Sequence, residues 1–123
     1  MPFNLRKKLG LGVGKKKFTK ANLAELTNDG CVYELYDKNG KRVYVGRASG
    51  GRNSEGKRAY GCKHRLQSYD QKDDYGKKNG HPTKKALRDE GIGFFDYAIM
   101  NNKKERRAAE EKLRKLGYKH NHN

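Results

Sequence analysis

A chain of 123 residues has room for one domain, and its formal charge of +16, from 30 Lys and Arg against 14 Asp and Glu, suits a polyanionic partner and disfavours a basic one. Only 33% of the residues are hydrophobic and there is no Trp, so a small apolar centre under a charged shell is expected, with no segment long enough to cross a bilayer. Cys31 and Cys62, the only cysteines, form no Cys-x-x-Cys pair, which argues against a zinc ribbon. The first twenty residues hold no apolar run of the kind a secretory signal needs, so reduced thiols and an intracellular protein, cytoplasmic or nucleoid-associated, are expected. Nucleic acid is the commonest polyanion and is the expected partner; an acidic membrane surface or plain solubility are the bland alternatives for the charge.

Residues 1–17 carry Arg6, Lys7, Lys8, Lys15, Lys16 and Lys17 among glycines and no acid, and read as a flexible basic arm ahead of a domain spanning residues 18–123. A short helix capped by Thr19 follows, with Leu23 and Leu26 turned inward, until Thr27-Asn28-Asp29-Gly30 breaks it. Gly30 to Tyr36 and Lys41 to Gly46 then read as a β-hairpin, because β-branched and aromatic residues flank a turn containing Asn39-Gly40. A loop at Lys38-Asn39, or over Asp37 to Gly40, sets Tyr33 directly opposite Tyr44; a turn centred on Asn39-Gly40 shifts the register by one.

Arg47 to His64 reads as an inserted basic loop rich in Gly and Ser, and a helix from about Gly61 to Ser68 places Arg65 and Tyr69 one turn apart. A polar loop over Asp70 to Gly80 leads to a helix opened by His81-Pro82-Thr83 and stopped by Gly91, with Ala86 and Leu87 inward. Phe94 to Met100 is the third strand, apolar on both faces and therefore covered on both sides. Asn102, with Glu105 three residues on, caps a last helix whose stripe is Ala109, Leu113 and Leu116, ending at Gly117. The expected architecture is α+β: a small three-stranded antiparallel sheet flanked by helices. Tyr36, Tyr60 and Tyr75 are candidates for stacking on bases or for packing.

Four segments in order carry a resemblance to a known family. Val32-Tyr33 and Val43-Tyr44-Val45-Gly46 resemble the two halves of the signature of GIY-YIG nucleases, with Cys31 where the family usually has glycine. Arg65-Leu66-Gln67-Ser68-Tyr69 resembles the family's arginine helix, and a late Glu followed by a terminal Asn completes the pattern. The wording is most like the nuclease domain of UvrC excision-repair proteins and some restriction enzymes of the family. That resemblance implies a metal-dependent endonuclease acting on DNA, or on RNA, in repair or restriction, as a monomer or homodimer.

It also implies roles. Tyr33 would orient or deprotonate the attacking water with Tyr44 in support. Since a phenol near its usual pKa of about 10 is a poor base, neighbouring cations would have to lower it. Arg65 would hold the scissile phosphate and Tyr69 would donate to it. Arg47 stands where the UvrC-like pattern has Lys. With Arg52, Lys63, His64 and Asn121 it would contact substrate. Glu110 would hold Mg²⁺ or Mn²⁺, with Glu105 as the alternative because it lies nearer the helix stripe. A nucleic-acid-binding module without cleavage, and a ribonuclease or toxin using the same residues, are the other readings.

Overall fold

The computed structural model describes residues 15–52, 54–70, 86–87 and 89–119. The strands are β1 (Lys16–Lys17), β2 (Cys31–Tyr36), β3 (Arg42–Ala48), β4 (Gly51–Arg52), β5 (Arg58–Tyr60) and β6 (Phe94–Ile99); the helices are α1 (Lys20–Ala24), α2 (Cys62–Ser68) and α3 (Lys103–Arg114). The protein is α+β, and its main sheet has four antiparallel strands in the order β1-β6-β2-β3. The expected sheet of three gains Lys16 and Lys17, which pair with Phe95 and Phe94. Those lysines therefore do not belong to a free arm; its residues 1–14 lie outside the described residues. Part of the expected basic loop is also ordered differently: Arg47 and Ala48 extend β3, and β4 and β5 form a separate two-stranded sheet.

Two apolar layers sandwich the main sheet. Tyr33, Leu35 and Phe95 pack under Leu23 of α1, Leu66 of α2 and Leu87, while Val32, Val45 and Ala98 pack against Ala109 and Leu113 of α3. Strand β6 is thus covered on both faces, as its composition indicates. Thr19 caps α1 by accepting from the Asn22 N–H at 3.2 Å, and Asn102 caps α3 by accepting from the Glu105 N–H at 3.0 Å. Ala86, Leu87, Asp89 and Glu90 are helical, and the Gly91 N–H bonds to the Leu87 carbonyl. The start of that helix at 81–83 and most of the preceding polar loop fall outside the described residues.

Next to the turn the hairpin register differs from both sequence expectations, while from Cys31 to Leu35 it is the one a turn centred on Asn39-Gly40 gives. Asp37 N–H donates to the Lys41 carbonyl at 2.9 Å, which encloses a loop of Lys38, Asn39 and Gly40, the last at φ +81°. This odd loop pairs Tyr36 with Arg42 and, continued without interruption, would send Tyr33 and Tyr44 to opposite faces. A register shift between Leu35 and Tyr36 restores the face: Leu35 pairs with Tyr44, and Tyr33 with Gly46. In consequence Val43 and Tyr44, adjacent in sequence, both enter the same apolar layer. The two tyrosines are diagonal neighbours, not a directly opposed pair.

Candidate functional site

Gly46 makes room for the site. A Cβ there would sit 2.5 Å from the Tyr33 hydroxyl oxygen and 2.6 Å from its ring carbon Cζ, so only the bare backbone lets the Tyr33 ring lie across β3. Its hydroxyl then meets that of Tyr69, just past α2, at 2.7 Å. Tyr44 completes a trio whose ring centroids stand 6.5 Å from Tyr33 and 6.4 Å from Tyr69, and all three rings are buried.

Helix α2 is fixed to the segment just ahead of β2 by the Asn28 side chain and by backbone hydrogen bonds, and not by a side chain of its own N-cap, Gly61. Asn28 Oδ1 accepts from the N–H groups of Gly61 and His64 at 3.1 and 2.8 Å, while Cys62 and Lys63 N–H groups donate to the carbonyls of Asp29 and Thr27. Thr27 to Gly30 therefore does more than end α1: it sets the arginine helix against the strand that bears Tyr33. No residue spacing reveals that role, although Asn is a favoured capping residue.

Electrostatics ties Arg65 to the trio. The exposed guanidinium pulls the Tyr33 and Tyr44 hydroxyls toward lower pKa, but it does not prevail. Burial, followed by the neighbouring phenols, pushes Tyr33 well above its ordinary value. Burial, then Tyr69 and the Glu110 carboxylate, pushes Tyr44 up as well. The expectation that nearby cations lower the tyrosine pKa is thus overturned for Tyr33 and Tyr44, which are neutral at physiological pH. Tyr33 is equipped to orient a water or donate to an oxygen, and not to deprotonate.

Glu110 lies in α3 with only 3% of its side chain exposed, whereas Glu105 and Glu111 are exposed. Arg106, Ala109, Glu110 and Leu113 form the buried face of α3, so the helix is rotated from the stripe that favoured Glu105. Glu110 Oε1 accepts from Arg47 at 2.8 Å and pairs with Arg114 at 2.9 Å. Its Oε2 is buried and has no hydrogen-bond partner among the described residues. Arg114, missed by the sequence reading, was findable as the residue four positions beyond Glu110 on the same helix face.

The remaining candidates are more scattered. His64 is exposed and meets Tyr60 edge to face at 5.3 Å, and Lys63 is half-buried on the same helix. Tyr60 is the exposed member of the stacking candidates, at 53%, while Tyr36 is buried and unable to stack on a base. Arg52 contributes its backbone to β4; Asn121 and Tyr75 lie outside the described residues.

The tyrosine trio lies in the layer under α1 and α2 and Glu110 on α3 against the other layer, and both the Glu110 carboxylate, with one oxygen unspent, and the Arg65 guanidinium act electrostatically on the Tyr44 hydroxyl. Among the described residues no three His, Cys, Asp or Glu side chains converge on one point. A cation here would draw a single protein ligand, Glu110 Oε2, with water and substrate oxygens for the rest, which suits Mg²⁺. Among the described residues no helix is long and apolar enough to cross a membrane. Compared with protein-family models, curated proteins and solved structures, the chain matches none.

Proposed function

We propose that the protein is a GIY-YIG-type endonuclease that hydrolyses phosphodiester bonds in DNA. The observation that carries this reading is the unpartnered buried Oε2 of Glu110, on a carboxylate whose charge is felt by Tyr44 within the tyrosine trio. Desolvating a carboxylate oxygen without a partner costs stability, so an oxygen kept in that state is better explained by a ligand than by folding. The order of Tyr33, Tyr44, Arg65, Tyr69 and Glu110 along the chain, which resembles the family pattern, supports the same conclusion.

Each side chain then has a task that its surroundings favour. One hydroxyl donates in the Tyr33–Tyr69 bond, and a phosphate oxygen or the attacking water would be an alternative acceptor for a phenol proton there. Arg65, exposed beside the buried phenols, neutralises charge that accumulates on the phosphate oxygens. Arg47, 40% exposed, is able to leave Glu110 for a phosphate while Arg114, on the same helix, still pairs with the carboxylate. A Mg²⁺ at Glu110 would supply Lewis-acid polarisation of the phosphate and an acidified water, tasks for which the raised phenols are unsuited.

A nucleic-acid-binding module without cleavage would need the positive field but not the unspent carboxylate oxygen. Incubation with end-labelled DNA and RNA duplexes of the same sequence, with and without Mg²⁺, separates these readings. Mg²⁺-dependent shortening of the DNA is expected; shortening of RNA alone would make the protein a ribonuclease, and intact strands of both kinds would leave only binding.

A further inference from the structure

A second cationic feature lies at the other end of the seam between β3 and α3. Lys15, Lys41 and Arg42 line a cleft of about 360 Å³ with Tyr36, Gly40 and Gly117. Lys15 is fixed there: its ammonium donates to the Gly40 carbonyl at 3.0 Å and lies 4.4 Å from the centre of the Tyr36 ring. Arg42 is held by the Leu116 carbonyl at 3.3 Å and faces the Tyr118 ring. Lys41 is exposed; its backbone exchanges hydrogen bonds with Asp37, whose carboxylate feels the Lys41 charge without coming within ion-pair distance of it. Among the described residues no carboxylate comes within ion-pair distance of any of the three. The buried Glu34 carboxylate is not part of the lining and accepts hydrogen bonds from the hydroxyls of Tyr36 and Tyr118.

We propose that this cleft is a second phosphate-binding site, which takes a backbone phosphodiester of the same nucleic-acid strand that enters the tyrosine site. Its size admits a phosphate group and sugar, and two of its cations are already ordered, so binding a phosphate costs little side-chain entropy. The spacing is set by the secondary structure. Arg42 and Arg47 are five residues apart on β3, roughly 16 Å at the rise of a strand, and their partners Leu116, in the turn just past α3, and Glu110 are six residues apart, roughly 9 Å at the rise of a helix. At about 3.4 Å of duplex per nucleotide, the cleft meets a phosphate about three to five nucleotides from one held at Arg47 beside Glu110. The inference rests on nucleic acid as the partner and is independent of whether the strand is cleaved.

The test is therefore made on uncleaved DNA, with a chelator present. Binding of the full chain to a duplex of about sixteen base pairs is followed against salt concentration for the parent, Lys41→Ala, Arg42→Lys and Lys20→Ala, the last substitution being on α1, away from the cleft. Lys41→Ala is expected to lower the slope of log K against log salt by about one, and Lys20→Ala to leave it unchanged. Acylation of lysine amino groups, read by mass spectrometry, is expected to show DNA protecting Lys41 while inorganic phosphate at the same phosphate concentration does not. Equal slopes for parent and Lys41→Ala, an equal drop for Lys20→Ala, or equal protection by inorganic phosphate would each overturn the proposal. With Mg²⁺ restored, a protein that cuts nothing yet shows the slope change would refute cleavage and leave the cleft standing.

Discussion

The phenol oxygens of Tyr33 and Tyr69 lie 2.7 Å apart and join the hairpin to the arginine-bearing helix through a buried hydrogen bond. Both rings are almost wholly withdrawn from water, so either hydroxyl left alone pays a desolvation cost. Tyr69→Phe is expected to cost about 1–2 kcal/mol by urea denaturation and to slow cleavage. The double variant with Tyr33→Phe should be less destabilised than the sum of the two, because no orphaned hydroxyl remains.

The same burial fixes a pH dependence. Tyr33 and Tyr44 ionise above their unfolded value, so their contribution to stability is full below a pH of about 10 and is lost as the pH rises from there toward the folded-state values. Thermal unfolding followed between neutral and strongly alkaline pH should show this decline begin near pH 10. Tyrosinate absorbance from these phenols should appear only with unfolding, and the cleavage rate should show no rise that tracks a tyrosine ionisation near neutrality.

Gly46→Ala tests the close approach of the hairpin strands. The added methyl falls within 2.6 Å of Tyr33 atoms and has nowhere to go without moving that ring. A loss of about 1–3 kcal/mol is expected in denaturant melts, with cleavage reduced further than the stability change alone requires.

Glu110→Gln removes the charge that balances Arg47 and Arg114 while it preserves shape. Cleavage is expected to fall by at least about a hundredfold, the scale of a lost transition-state contact. Stability should fall by about 1–2 kcal/mol, below the value for a fully buried pair because both arginines are partly exposed. Glu105→Gln, on the exposed side of the same helix, should change stability by less than about 0.5 kcal/mol and leave cleavage intact.

Much of the architecture is readable from local chemistry. Thr19 and Asn102 act as caps where their positions indicate, and the apolar run Phe94 to Ile99 is a strand covered on both faces. The misses have a common physical origin in long-range contacts. The register shift between Leu35 and Tyr36 is decided by which residues fill each face of the sheet, so turn chemistry alone left the place of Tyr33 against Tyr44 undecided. Lys16 and Lys17 form a strand only because β6 offers an edge. Arg106 is buried and donates to the carbonyls of Met100 and Asn101, and the face of α3 it shares with Glu110 is turned inward while Glu105 stays exposed. Glu34 is buried because Tyr36 and Tyr118, the latter far along the chain, both donate to it.

The most direct test of the central claim is the fate of supercoiled plasmid incubated with the protein and Mg²⁺, beside Arg65→Ala and Glu110→Gln. Nicked and then linear DNA is expected from the parent, without sharp preferred bands, and none when a chelator is present or from either variant. A parent that leaves the plasmid supercoiled, or variants that cut as fast as the parent, would contradict it.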